Sequence, residues 1–268
     1  MTLLGQNSPV PERYAPEILD PIPRALARDQ LGLDEAALPF QGEDIWHAWE
    51  LAWLGPEGQP RTGVARLRLP VTTRNLVESK SLKLYLNSLN QSRFDSSEAL
   101  IATLERDLGK VAGGEVAVEV LSLDSAELSI TPLPGECIDG QPVAAPAAEP
   151  AAALLRGGPA PGMHQVLHSN ALRSLCPVTA QPDWATVIVW LEGGEVEPAS
   201  LLRYLGAYRN HQEFHEQCVE RIFQDIRTLV PEGDLSVMAL YTRRGGLDIN
   251  PWRSTSGNPP PRLRSARQ

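Results

Sequence analysis

Apolar and polar residues alternate along 45–54 and 63–71, and again along 164–175 and 184–191, the period-two pattern of strands that bury one face. After the first pair the apolar residues fall three and four apart, which predicts two helices, and strand-like runs follow at 116–123 and 127–131. After the second pair, helices are expected to begin near Pro198 and His211, with a closing strand over 235–242. The order is the same in both halves, and one stretch repeats residue for residue. Glu78, Ser81, Leu82, Tyr85 and Leu86 recur with the same spacing as Glu197, Ser200, Leu201, Tyr204 and Leu205. Two such units in tandem predict an α+β protein, with antiparallel sheets and helices on one face. Strict β-α-β alternation is absent. So is any G-x-G, which leaves neither a Rossmann fingerprint nor a phosphate-binding P-loop to be written.

Composition divides the chain further. Residues 132–162 are rich in Pro, Ala and Gly without a helical or strand period and read as a linker, while 251–268 collects prolines and arginines and reads as a flexible basic tail. The expected organisation is an N-terminal unit with an irregular arm (1–131), the linker, a C-terminal unit (163–250) and the tail. At 268 residues and 42% hydrophobic, the chain can bury one or two cores, so disorder throughout is excluded. No apolar run approaches the roughly 20 residues that span a bilayer. Residues 1–5 lead into polar sequence with neither a basic nor an apolar leader region, which predicts no secretory signal and a cytoplasmic location. A net charge of −9 argues against general nucleic-acid binding and leaves any anionic ligand to a few local cations. Cys137, Cys176 and Cys218 are odd in number and form no C-x-x-C, which speaks against a disulfide framework and a Cys-rich zinc site.

Three places carry candidate chemistry. Cys176 and Asp183 lie in SLCPVTAQPDW, a connection stiffened by Pro177 and Pro182, which disfavour helical conformations for the residues before them. A thiol and a carboxylate held there are either a nucleophile with its proton partner or a half-buried hydrophobe and a turn residue. In HQEFHE, His211 and His215 are four apart at an expected helix start, with Glu216 beside them. That spacing permits a zinc reading, with Cys176 or Glu216 as a third ligand, although H-E-x-x-H is not formed. Glu78, Ser79, Lys80 and Lys83 open another helix, whose backbone donors and cations suggest an anion site. Arg244 and Gly245, in RRGG after the last strand, form a second cationic turn.

Together ESKSLKLY, SLCPVTAQPDW, FHE and RRGGLDINPW, in this order, resemble the NADPH-dependent 7-cyano-7-deazaguanine reductases, the nitrile reductases of queuosine biosynthesis, in their long two-repeat form. The resemblance covers most of residues 40–253, with Ala180 standing where that family commonly has Gly. It implies two tandem tunnelling-fold (T-fold) units, a homodimer, a small deazapurine nitrile as substrate, and two NADPH per turnover. By the same match, Cys176 adds to the nitrile as a covalent thioimide, Asp183 donates the proton and His215 assists. Val77, Glu78, Ser79, His215 and Glu216 would contact the base, and Ser79, Lys80, Arg244 and Gly245 would contact NADPH; no metal is implied. The alternatives are a zinc-dependent cyclohydrolase-like T-fold enzyme acting on a purine or pterin, and a non-catalytic scaffold.

Overall fold

The computed structural model describes residues 11, 13–143, 145 and 147–268, so the leader reading of residues 1–5 lies outside the described residues. In chain order the first half forms β1 (Pro21–Pro23), α1 (Arg24–Leu31), β2 (Gln41–Leu54), β3 (Pro60–Pro70), β4 (Asn75–Val77), α2 (Ser79–Ser88), α3 (Ser97–Ala112) and β5 (Ala117–Leu121). There follow β6 (Glu136–Cys137), β7 (Gly157–Leu175), β8 (Pro182–Val196), α4 (Pro198–Gly206), α5 (His215–Arg227), β9 (Asp234–Tyr241) and β10 (Leu247–Ser254). The fold is α+β, as the patterning predicts. No helix among the described residues is long and apolar enough to cross a membrane.

The strands make one sheet in the order β5-β3-β2-β10-β9-β8-β7-β6, antiparallel except for the β6–β7 pair, with β1 and β4 paired separately. Joining the two halves is the work of β10, which runs from Leu247 opposite Ala48 to Ser254 opposite Gln41 and meets β9 through Trp252, Arg253 and Ser254. This corrects the boundary drawn at residue 250. The sequence hides β10 because it carries Asp248, Asn250, Pro251 and Arg253, all buried, instead of an alternating pattern. Pro251 is tolerated because the β9 ladder starts only at Trp252, so its missing N–H costs no bond on that side.

The helices cover one face. Leu82, Tyr85 and Leu86 of α2 and Leu100, Leu104 and Leu108 of α3 bury against Trp46, Ala65 and Leu67 of the sheet. In the second half, Leu201 and Leu205 of α4 and Val219, Ile222 and Phe223 of α5 cover Val187, Val189, Val237 and Ala239. At about 1.5–3 kcal/mol for each fully buried large apolar side chain, these two clusters dominate the stability of their halves. The sequence repeat is also a repeat of bonds. Ser81 Oγ donates to Glu78 O and Tyr85 Oη to Asp107, as Ser200 Oγ donates to Glu197 O and Tyr204 Oη to Asp225, at 2.6–2.8 Å throughout.

The other face carries a smaller cluster of Ile45, Ile188, Met238, Leu240 and Trp252, against which Leu133 and Leu263 pack. Segments read as linker and tail therefore lie on the sheet. Thr131 N donates to Arg264 O at 3.0 Å, and Gln268 Nε2 donates to Tyr241 O at 3.1 Å and to Asn250 Oδ1 at 2.6 Å. The strand expected over 127–131 is instead a 3₁₀ turn at Ala126–Leu128 followed by coil, with Leu128 turned in and buried. Where the halves meet, a buried ion network crosses the junction: Arg253, with no exposed side-chain surface, bridges Asp44 at 2.8 Å and Glu220 at 2.9 Å, and Arg24 and Arg28 pair with the same two carboxylates.

Candidate active site

Four connections converge at this junction: the β7–β8 turn, the β4–α2 step, the start of α5 and the β9–β10 turn. They bring Val77, Glu78, Ser79, Cys176, Asp183, His215, Glu216 and Arg244 to the wall of one cleft, with Trp46, Phe214 and Ile249 as apolar surfaces. Lys80 and Gly245 stand outside that wall. A larger cavity of about 280 Å³ lies on the opposite face of the sheet around His47, Trp49 and Arg66, but it contains none of the three cysteines.

The turn that presents Cys176 is closed by Ala180 N donating to Cys176 O and Cys176 N donating to Gln181 O, both at 2.9 Å. Closure forces Ala180 to φ +54°, a left-handed conformation that a side chain resists and that glycine adopts freely. Burial opposes ionisation of the Cys176 thiol, yet the Thr179 hydroxyl and the N–H groups of Thr179 and Val178 outweigh it and hold the thiol below its ordinary range. Cys218, fully buried, is pushed well up by burial and by Glu213, and Cys137 is exposed and does not line the cleft. The chemistry of the three thiols therefore separates cleanly. Thr179 was not singled out in the sequence, although it lies inside the quoted motif.

Asp183 is buried and opposite Ser174 in the β7–β8 register. His215 Nε2 lies 3.3 Å from its Oδ2 and Arg244 donates to its Oδ1 at 2.6 Å. Burial pushes the Asp183 carboxyl up, but His215 and Arg244 together hold it below the usual carboxylate range. Arg244 also donates to Gln181 Oε1 at 2.6 Å, which ties the β9–β10 turn to the cysteine loop. Asp183, the expected proton donor, thus sits in contact with His215, the group expected to assist it.

The helix at the second histidine begins at His215, so His211 lies ahead of α5 in extended conformation. The two histidines diverge: His211 Nδ1 contacts Glu149 at 2.9 Å, while His215 turns to Asp183. Glu216, 4% exposed, has its carboxyl raised to about 7 by burial and by the nearby Asp44, a shift that His215 partly offsets. At α2 the expected anion site is filled from within. Glu78 is the N-cap, and its two carboxylate oxygens accept from Lys80 N at 2.9 Å and Ser81 N at 2.6 Å.

A dinucleotide needs cations and a close-approach surface, and the β9–β10 turn offers both. Gly245 and Gly246 adopt φ +60° and +81°, and a Cβ at Gly245 would come within 2.9 Å of Lys83 Nζ. Lys83 lies over Gly245 and Glu50 over Gly246, with Arg244 the preceding residue and Lys80 exposed one turn before Lys83 on α2, so cations suited to phosphates stand at and near this turn.

A family model described as "Nitrile reductase, 7-cyano-7-deazaguanine-reductase N-term" matches residues 10–120, and one described as "QueF-like protein" matches residues 182–259. A protein of Chromohalobacter salexigens named NADPH-dependent 7-cyano-7-deazaguanine reductase is 52% identical over 266 residues, covering 99% of this chain and 96% of that protein. Proteins of the same name from Stenotrophomonas maltophilia and Dechloromonas aromatica are 50% and 48% identical, over 95% and 94% of this chain and 92% and 89% of their own. On this near-full-length identity, the chain belongs to the family of NADPH-dependent 7-cyano-7-deazaguanine reductases.

Proposed function

We propose that the protein reduces the nitrile of 7-cyano-7-deazaguanine to the aminomethyl group, with NADPH as reductant, in the cytoplasmic supply of the queuosine base. The observation that carries this reading is the meeting in one cleft of a thiol of lowered pKa, a His–Asp pair and a buried carboxyl at Glu216. A nitrile is a poor hydride acceptor until a nucleophile adds to it. Cys176 Sγ bonds to the nitrile carbon as one C–N π bond opens, and the nitrogen takes a proton, giving a neutral thioimide. That proton comes from Asp183 with His215 assisting, the two in contact at 3.3 Å. Glu216 in its ionised form accepts from the adjacent N–H and NH₂ of the guanine-like edge, and Glu78, Val77 and Ser79 line the same base site.

Lys80, Lys83, Arg244 and the Gly245 backbone are the groups proposed to hold NADPH, with Ser79 at the edge shared with the base. When bound, the cofactor supplies hydride, and reduction of a nitrile to an amine is a four-electron change, so two are consumed per turnover. After the first, Cys176 leaves as thiolate, and its lowered pKa favours that departure.

We further propose that the two halves are tandem T-fold units and that a homodimer completes the sheet, since β5 ends the strand order at one edge. The test is direct. Incubation with the nitrile alone should add the whole substrate mass to the protein, with loss of the adduct in Cys176→Ala and its retention in Cys137→Ala and Cys218→Ala. With NADPH present, absorbance at 340 nm should report two cofactors oxidised per nitrile. An adduct that survives Cys176→Ala would overturn the assignment.

A further inference from the structure

Tyr241 touches the proposed machinery without a part in the chemistry above. Its ring lies under the His215 imidazole with centroids 3.8 Å apart and planes inclined by 19°. Tyr241 is the last residue of β9. It faces Ala185 in the β8 register, two residues beyond Asp183, and the next residue, Thr242, donates its N–H to Trp184 O at 2.8 Å. From the other side, Gln268 Nε2 donates to Tyr241 O at 3.1 Å. The strand that carries Asp183 therefore also fixes the floor on which His215 rests. His215 itself is the first residue of α5 and 15% exposed, with its 3.3 Å approach to Asp183 as the polar contact that orients it. A side chain at a helix start chooses among staggered rotamers, and a flat ring stacked against the imidazole favours the one in which the two planes lie parallel.

The phenolic hydroxyl adds nothing visible to this. It is buried without a hydrogen-bond partner among the described residues, although Cys218 and Ser174 lie near it. The ring is what the site uses.

We infer that Tyr241 is a positioning residue whose ring plane holds His215 Nε2 toward Asp183, so that the proton-transfer geometry is set by the β8–β9 register. The inference rests on the reaction proposed above. Tyr241→Leu keeps an apolar side chain but removes the plane and should lower kcat roughly ten- to hundredfold, the scale of a small misplacement of a reacting group, while the KM for the nitrile stays within about twofold. The Cys176 adduct should still reach its full equilibrium yield, which a merely misfolded variant would not achieve. Tyr241→Phe keeps the plane and should retain nearly all of kcat.

The independent readout is the His215 ring-proton NMR signal, which stacking displaces upfield. The displacement should persist in Tyr241→Phe and vanish in Tyr241→Leu. Equal loss of kcat in both variants, or unchanged kcat in Tyr241→Leu, would overturn the inference. If wild-type protein forms no adduct and oxidises no NADPH, the reaction falls instead, and the NMR comparison still decides whether the tyrosine ring holds the histidine.

Discussion

His215 Nε2 lies 3.3 Å from Asp183 Oδ2 while Arg244 occupies the other carboxylate oxygen at 2.6 Å. Asp183 therefore meets His215 and Arg244 at once, and in the proposed reaction the Asp183–His215 pair handles the proton. Asp183→Asn keeps the shape but loses the charge that aligns His215. It should lower kcat by about 10²–10⁴-fold, the usual reach of general acid–base catalysis, with the Cys176 adduct still detectable after long incubation. Steady-state kinetics beside intact-mass measurement decides this, and an unchanged kcat would remove Asp183 from the proton path.

Arg244 is both an expected phosphate contact and the partner of Asp183. Arg244→Gln should accordingly raise the KM for NADPH and lower kcat together, each roughly tenfold, on the scale of one lost charge-assisted hydrogen bond. Lys80→Gln, at an exposed position outside the cleft, should raise the KM for NADPH alone. If both variants change only KM, the Arg244–Asp183 pair has no part in turnover.

The buried network at the junction gives a stability prediction. Burial pushes the Asp44 and Glu220 carboxyls up, but the arginines around them outweigh it and hold both below their ordinary values. A carboxyl with a folded-state pKa below its unfolded one stabilises the protein above the unfolded pKa, and that contribution is lost as pH falls through the folded value. The network is thus an acid-side stabiliser whose effect fades below about pH 4. Glu220→Gln leaves Arg28 with only the half-exposed Glu35 and Arg253 sharing Asp44 with Arg24, one buried positive charge in excess, and should cost about 3–5 kcal/mol at pH 7 by urea denaturation.

How much of this was legible in the chain depends on whether a residue's role is local. The strands β2, β3, β7, β8 and β9 show in period-two patterning because each buries one face. The Glu78 and Glu197 repeats show because helix starts reuse the same short bonds. Cys176, Asp183, His215 and Glu216 were found through motifs, and all four line the cleft. What stayed hidden depends on distant partners. Strand β10 is polar because Arg253 answers Asp44 and Glu220, residues far away in sequence. Residues 255–268 have no period because they lie along the sheet as irregular chain held by Thr131, Tyr241 and Asn250. Tyr241 looks like any core strand residue until its ring is seen against His215.

Ala180 offers a test of the cysteine loop. Its left-handed φ of +54° costs an alanine about 1 kcal/mol relative to glycine. Ala180→Gly should therefore leave stability unchanged or raise it by up to about 1 kcal/mol, with the Cys176 adduct yield unaltered. A clear loss of stability would mean that the entropy gained by the unfolded chain exceeds the strain relieved.

Glu216 joins stability, binding and pH in one residue. Burial and Asp44 raise its carboxyl to about 7 in the free protein. An unfolded glutamate titrates near 4.3, so between these values the folded state holds a proton that the unfolded state has released. The stabilisation from this group is full below the unfolded pKa and lost as pH rises through about 7. Base recognition runs the other way, because only the ionised carboxylate offers two acceptors to an N–H and NH₂ pair. In a Cys176→Ala background, where no covalent bond forms, nitrile affinity should strengthen as pH rises from 6 to 8. Adding Glu216→Gln should flatten that dependence and weaken binding at pH 8 by roughly five- to 150-fold, the equivalent of about 1–3 kcal/mol for an unpaired buried donor. The same substitution removes a buried charge and should make the free protein more stable at pH 8 than the unsubstituted chain. Calorimetric titration and urea denaturation across the same pH range measure the two effects separately. Binding that is equally tight and equally pH-dependent with glutamine at 216 would show that the base is held by another group.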